Sequence, residues 1–492
     1  MEPIMNVYSV NKGIGYASSG VEYAQKYRKE LFEEIDVNDY YIFLDYLSTN
    51  ITVYTDLLGY HQEQILWIYN FLSERNAELS TYSVDRFLST IDGEYEIVNQ
   101  TDKTIDVKVT DNQSYKIWLL EGNVVDRVDY IVNGNLVNVR HYDKVLNNIE
   151  TYHQGQLVKR AFFDINGYQR YEQYYVKNEI TVTLIDNQIL YGKMAFYQYF
   201  FHQLRLNQSD AVIIDRPLDV VEGILPVLAN QVRLFSVVHA EHYNESLSTA
   251  THILWNNNYE YVFENADYFE AIIVATERQN KILSQQLKTQ AKIVTIPVGY
   301  ISQITKNNQY QPYSLITASR LASEKHIDIV IRGVVMAHEK IPLLTLDIFG
   351  EGGERRELEA LIKTLNASDF IQLKGHQNVN KLYAQYSGYI SASTSEGFGL
   401  SLLEALGSSL PFIGIDVDYG NREFIENGQN GILFPKDNLK EMPFSLAQSI
   451  ISFYEQNLAE TGRQSSADKA GFYLKKNVAK KWAHLLDNRE DK

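Results

Sequence analysis

Ser393-Thr-Ser-Glu396-Gly-Phe-Gly399-Leu-Ser-Leu-Leu-Glu404-Ala-Leu406 joins two kinds of local structure. The residues before it, Tyr389-Ile-Ser-Ala-Ser393, read as a strand. From Leu400 onward the spacing is helical, with Leu402, Leu403 and Leu406 on one apolar face. Glu396 therefore belongs to a strand-to-helix turn and Glu404 to the helix beyond it. The unpaired backbone amides at such a helix N-terminus suit an anion. A carboxylate beside them suits a sugar hydroxyl. The layout is the one expected of a site for a nucleotide-activated sugar.

Outward from this segment, the chain alternates short strands and helices. Residues 1 to about 75 open with a strand at 5–10, a glycine turn, Asn11-Lys-Gly-Ile-Gly15-Tyr-Ala-Ser-Ser-Gly20, and a helix-spaced segment from Val21 to Phe32. Strand, glycine turn and helix are the start of a doubly wound α/β domain. Between about 76 and 200 the period changes to alternation, and turn signals recur: Glu121-Gly-Asn, Asn133-Gly-Asn, Gln154-Gly155, Asn166-Gly167 and Asp186-Asn187. Short strands between such turns predict an antiparallel meander inserted into the first domain. Its aromatics are expected to form cross-strand pairs. A sheet edge there would also suit a protein partner. From 201 to 310, β-branched runs at 211–215, 234–239, 271–275 and 292–296 predict buried parallel strands that complete the first domain. A second α/β domain is expected over 311–470. A final helix, 471–492, is expected to cross back, with Phe472, Leu474, Val478, Trp482 and Leu485 as its apolar face.

The 492 residues carry a net charge of −17 and no cysteine. The charge disfavours nucleic acid as a partner. Without cysteine there is no disulfide framework and no thiolate chemistry, which fits a reducing compartment. The opening residues lack the basic and apolar regions of a signal peptide, and no apolar run approaches the roughly 20 residues of a membrane helix. The expected location is cytoplasmic. The pairs Lys475-Lys476 and Lys480-Lys481 fit a solvated helix face, and leave open a peripheral contact with the inner face of the membrane.

Several other residues belong with the two glutamates. Arg320 and Lys325 follow a strand end, so both can face one cleft if the turn between them curls, where they would neutralise a diphosphate. Gly350-Glu-Gly352-Gly353 is a glycine turn that enters a helix, either a phosphate loop or a tight connection. Lys374-Gly375-His376-Gln377 could offer hydrogen bonds to a base edge or form a plain turn. Ser18-Ser19-Gly20 caps the first helix, and the amides of Gly20, Val21, Glu22 and Tyr23 could approach a phosphate or sugar. His239 and His242 end a strand, where α/β sites form, with His239 the better placed. With Glu241 they suggest a metal, but no third ligand cluster is evident. Asp416-Val-Asp418 matches a short metal motif of another glycosyltransferase fold and is discounted as chance.

Together, Arg320 and Lys325, Gly350-Glu-Gly-Gly, Lys374-Gly375, the pair Glu396 and Glu404, and Asn421-Arg-Glu-Phe-Ile-Glu-Asn-Gly-Gln-Asn-Gly-Ile-Leu-Phe434 resemble the retaining GT-B glycosyltransferases of family 4. The segment from Asn11 to Gln25, with the meander, resembles the narrower GtfA type. These are the enzymes that prime O-glycosylation of serine-rich-repeat adhesins with GlcNAc from UDP-GlcNAc in Gram-positive bacteria.

The resemblance implies two Rossmann-like domains facing a cleft and a β-meander that binds acceptor or partner. It implies a GtfB-type partner subunit and a Ser/Thr-rich adhesin as acceptor. Glu396, Gly397, Phe398 and Gly399 would meet the donor sugar, and Glu404 and Leu400 the nucleoside. Arg320 and Lys325 would hold the diphosphate, His376 and Gln377 the uracil, and His239 the sugar near its reacting carbon. UDP-GlcNAc would be the donor, and neither metal nor cofactor is required. UDP-glucose is an alternative donor and wall teichoic acid an alternative acceptor. A non-catalytic acceptor-binding subunit of the same fold is the reading from another class.

Overall fold

The computed structural model describes residues 5–15, 20–249, 251–307 and 309–487. The chain divides into two compact units. The first holds the residues up to Glu22, Val37–Ser236 and Asn257–Glu270; the second holds Tyr23–Asp36, Val237–Asn256 and the residues from Ala271 onward. The division departs from the expected boundaries, because 23–36, 237–256 and 271–310 group with the C-terminal half.

The first unit is built on a parallel sheet. Its strands are Arg233–Val238, Ala211–Ile214, Asn6–Asn11, Asn38–Phe43 and Ile65–Trp67, in that spatial order. Numbered along the chain this is 5-4-1-2-3, the doubly wound order read from one side. Ala211-Val-Ile-Ile214 is buried throughout, as a strand covered on both faces must be.

Ten antiparallel strands run from Glu96–Gln100 to Gln188–Tyr191 among the described residues, each paired with its neighbour in sequence. Two-residue turns in the left-handed region make this possible. Asn133 and Gly134 have φ of 50° and 73°, and Asp186 and Asn187 have 48° and 60°. The turn at Lys177-Asn178 (51° and 65°) has the same geometry without a glycine to announce it. Cross-strand aromatic pairs form as expected. Tyr115 faces Tyr130 at 4.6 Å between ring centres, and Phe162 stacks on Tyr171 at 4.4 Å.

A buried ionic cluster lies in this unit. Arg160 Nε donates to Glu150 Oε1 (2.9 Å), and its Nη1 donates to the Tyr175 hydroxyl (3.1 Å). The guanidinium lies 3.5 Å from the centre of the Tyr46 ring. Tyr152 donates to Glu150 Oε2 (2.7 Å), and His141 Nε2 is 3.8 Å from the same oxygen. Nearby, Asp143 accepts from Arg75, Asn147 and Asn50.

The second unit contains a six-stranded parallel sheet. Its spatial order is Ile371–Gly375, Thr345–Phe349, Ser314–Ala318, Gly388–Ser391, Phe412–Ile415 and Gly431–Phe434. Numbered along the chain this is 3-2-1-4-5-6, so the order reverses between Ser314–Ala318 and Gly388–Ser391. Helices Ile327–His338 and Met442–Glu455 pack so closely that a Cβ on Gly333 would lie 2.8 Å from Leu446 Cδ2. The unit also holds the parallel pair Ala271–Val274 and Lys292–Thr295.

The C-terminal segment differs from a single helix over 471–486. Gly471–Tyr473 forms a 3-10 turn, Leu474 is extended, and the helix is Lys475–Leu486. The break turns Phe472 outward, 73% exposed, while Tyr473 is buried. Trp482 packs edge-on against Phe32 of the helix Gly20–Glu34, with ring centres 5.3 Å apart. Lys475 and Lys481 pair with Glu34 and Glu277. Among the described residues no helix is long and apolar enough to cross a membrane.

Candidate active site

In a doubly wound sheet, ligands bind outside the carboxyl ends of the strands where the strand order reverses. In the second unit, the strands flanking that point lead into Ser319–Lys325 on one side and Ser393–Gly399 on the other. The sequence-predicted cations and the first glutamate thus emerge from adjacent strand ends.

Three strand-end turns are knitted together there. Ser319 N–H donates to the Phe349 carbonyl (3.1 Å), Leu321 N–H to that of Glu351 (2.9 Å), and Gly350 N–H to that of Gly375 (2.9 Å). Gly350, at φ 131°, and Gly352 sit so close to this backbone that a Cβ would fall 1.8 Å from the Ser319 oxygen and 2.3 Å from the Leu321 oxygen. These two glycines serve backbone packing, which accounts for the glycine turn as a tight connection.

Lys325 ends a 3-10 turn, Ser323–Lys325, and its ammonium lies 2.5 Å from Glu396 Oε2 and 3.5 Å from Ser393 Oγ. Both partners are largely buried, at 15% and 17% side-chain exposure, so the pair is poorly screened. Arg320 is not part of it. Its side chain is 76% exposed, and its guanidinium donates to Glu324 on its own turn (3.1 Å). With the 3-10 turn Ser323–Lys325 between them, the two cations have different partners, Glu324 for Arg320 and Glu396 for Lys325.

The Glu396 carbonyl accepts from the amides of Tyr419 (3.3 Å) and Gly420 (3.0 Å). A Cβ on Gly397 would lie 2.4 Å from the His239 carbonyl oxygen, so only glycine allows this contact. Gly399, at φ 92°, caps the helix Leu400–Gly407. Phe398 points away from the turn. Its ring is buried against Phe424 and Tyr473, which leaves only its backbone for a ligand.

On the helix, Glu404 accepts from the Tyr383 hydroxyl (3.0 Å). Burial raises its pKa, and the Tyr383 hydrogen bond opposes the rise. Leu400 is half-buried beside Gly299. His376 and Gln377 are exposed, with Gln377 Nε2 donating to the Lys374 carbonyl (2.8 Å).

His239 is half-buried at the end of its strand and lines a recess with Arg28, Pro297 and Trp482. His242 is wholly buried between Gln286 and Tyr419, and burial lowers its pKa to about 4. The Asp416 and Asp418 carboxylates are taken up by arginines: Arg422 binds both (2.6 and 3.0 Å), and Arg278 binds Asp418 (3.1 Å). Among the described residues, no group of three His, Asp or Glu is arranged to hold a metal ion.

In the first unit, Glu22 accepts from Arg216 Nη2 (2.6 Å) on the first turn of the helix Gly20–Glu34. Gly20 and Tyr23 are exposed and Val21 half-buried. Ser18 and Ser19, the expected caps, lie outside the described residues. Sequence reasoning missed Ser393, Tyr383 and Tyr419. Ser393 at a strand end was a readable signal, whereas Tyr383 reaches Glu404 across 21 residues with no local motif to mark it.

The family model for glycosyl transferases group 1 matches residues 302–469. A UDP-N-acetylglucosamine–peptide N-acetylglucosaminyltransferase GtfA subunit of Streptococcus pneumoniae is 39% identical, with 98% of this chain and 99% of that protein aligned. The corresponding subunit of Streptococcus gordonii is 37% identical, with 99% of each chain aligned. Among solved structures, the pneumococcal O-GlcNAc transferase GtfA in complex with UDP and GlcNAc superposes with a TM-score of 0.89 at 38% identity, covering 98% of both chains. TarM of S. aureus shares the fold at a TM-score of 0.74 and 18% identity, covering 98% of this chain and all of that one. The expected GT-B class, with its antiparallel insertion, is the class of this fold. Aligned along nearly all of its length with such relatives, the chain belongs to the GtfA family of glycosyltransferases.

Proposed function

We propose that this chain is a retaining, UDP-GlcNAc-dependent transferase that places GlcNAc on Ser or Thr of a serine-rich-repeat adhesin, the first step of its O-glycosylation. The observation that carries the reading is the buried Lys325–Glu396 pair at the switch point, in a chain whose full-length relatives bear the GtfA name. A solved GtfA/B complex, 37% identical with a TM-score of 0.93 and covering 98% of this chain and 99% of that one, supports a GtfB-type partner. The motif set supports placement in family 4. The enzyme works in the cytoplasm, with peripheral contact at the inner membrane face.

The roles follow from the chemistry. Lys325 and Arg320 neutralise the diphosphate as it departs, and Glu404 accepts from ribose hydroxyls. His376 and Gln377 meet the uracil, with Leu400 at the nucleoside. Gly20, Val21, Glu22 and Tyr23 offer backbone amides to the diphosphate. Glu396 and the backbone of Gly397, Phe398 and Gly399 hold the sugar, with His239 near its reacting carbon. In a front-face displacement the leaving phosphate takes the acceptor proton. The protein's main task is then preorganised positive charge rather than a strong base. We propose that no metal is needed, so that chelation with EDTA leaves turnover unchanged.

The decisive test incubates the chain with UDP-GlcNAc, UDP-glucose and other UDP-sugars and a Ser/Thr-rich peptide, with and without a GtfB-type partner. Mass spectrometry should show a GlcNAc adduct on the peptide. Transfer only to a poly(ribitol phosphate) or poly(glycerol phosphate) would favour the polymer reading, to which more distant relatives of 24–26% identity belong. No UDP release under any condition would favour the non-catalytic subunit.

A further inference from the structure

His242 lies three residues beyond His239 and is wholly buried. Its Nε2 is 2.9 Å from Gln286 Oε1, and its Nδ1 is 3.1 Å from the Tyr419 hydroxyl. Gln286 thus presents a carbonyl oxygen, an acceptor, to His242 Nε2. Nε2 therefore carries the proton, and Nδ1 accepts from Tyr419. The ring stays neutral at physiological pH because burial disfavours the imidazolium.

Tyr419 is bound at its other end to the donor-sugar turn. Its amide and that of Gly420 donate to the Glu396 carbonyl, and Glu396 and Tyr419 form a parallel bridge. The 239–242 segment is held separately. Gln279 Nε2 donates to the Ala240 carbonyl (2.8 Å), Asn256 Nδ2 to that of Glu241 (2.9 Å), and the Asn256 amide to that of His242 (2.9 Å). Where the two segments meet, Gly397 abuts the His239 carbonyl.

We infer that the Tyr419–His242 hydrogen bond is a strut that fixes the Glu396 backbone relative to that of His239, making both Tyr419 and His242 positioning residues for the donor sugar. The argument is geometric. Each residue is bonded to one of the two segments, and the bond between them is a buried side-chain link from one segment to the other. A sugar contacted from both segments needs their spacing held to within about half an ångström. Of the residues proposed for the nucleotide half of the donor, Arg320 and Glu404 have partners elsewhere, Glu324 and Tyr383, while Lys325 reaches the turn through the Glu396 side chain and not through its backbone carbonyl. The inference rests on the proposed roles of Glu396 and His239.

The test measures UDP affinity by calorimetry alongside kcat and KM for UDP-GlcNAc with the full chain and a Ser/Thr-rich peptide. Tyr419→Phe should leave UDP affinity within about twofold while kcat/KM falls about tenfold or more, because only sugar placement is lost. His242→Leu should do the same. His242→Asn keeps an oxygen acceptor near the Nδ1 position and should recover most of the rate. The double variant Tyr419→Phe/His242→Leu should be no worse than either single one. Unchanged kcat/KM in Tyr419→Phe overturns the strut, as does an equal loss of UDP affinity. If His242→Leu fails to fold, Tyr419→Phe alone decides. Glu396→Gln separates the two failures: if it too transfers at the parent rate, the site reading falls; if it is impaired while Tyr419→Phe is not, only the strut falls.

Discussion

Lys325 and Glu396 hold each other at 2.5 Å, so a diphosphate that competes for Lys325 must displace a carboxylate. In the proposed role Lys325 stabilises the departing diphosphate, so Lys325→Ala should lower kcat about 10²- to 10³-fold. Glu396→Gln should lower kcat/KM for UDP-GlcNAc more than it lowers UDP affinity. UDP release and calorimetry report the two quantities. Glu404 gives a pH signature. Its pKa is raised by burial, so folding gains from its protonated form at low pH and loses that gain as pH rises through the folded pKa. In the proposed role the ionised carboxylate accepts from ribose hydroxyls, so UDP binding should weaken in the opposite direction, as pH falls. Glu404→Gln should raise the melting temperature at pH 7 while weakening UDP about tenfold or more. At this scale the sequence was legible where a motif is local. Glu396, Glu404 and Lys325 could be read from their strand ends and helix, whereas the outward turn of Arg320 and the burial of Phe398 depend on a 3-10 turn and on packing partners 26 and 75 residues away.

The meander was legible as an element because Asn-Gly and similar turns need positive φ and announce themselves. Strands bounded by Lys177-Asn178 were not marked in that way. The ionic cluster around Arg160 could not be read at all, because Glu150, Arg160 and Tyr175 come from three different strands and Tyr46 from outside the meander. Burial alone would raise the Glu150 pKa, but His141, Arg160 and Tyr152 override it and hold it to about 2, against an ordinary 4.5. Stability from this group is present above pH 4.5 and drains away as pH falls toward 2. Glu150→Gln should flatten that acid limb in a series of melting curves. Arg160→Met leaves a buried carboxylate without its main partner and should cost about 3–5 kcal/mol, read from denaturant unfolding.

At the scale of the whole molecule, the α/β alternation and its interruption were readable from period alone. The grouping of residues into compact units was not, because the partners of Trp482 are set by tertiary packing. Trp482 rests on Phe32, and Arg28 lies 5.6 Å from its ring centre. Trp482→Ala should cost about 3–5 kcal/mol and lower the melting temperature, whereas Phe472→Ser, at an exposed position in the preceding 3-10 turn, should change it little. The meander has a different kind of consequence. Along the ladder each described strand pairs with the strands before and after it in the chain, so the ladder's length can change at the Glu96–Gln100 edge. Adding a hairpin at that edge would lengthen the ladder by about 10 Å while every existing strand pair keeps its neighbour. The edge can thus grow without disturbing the buried group around Arg160.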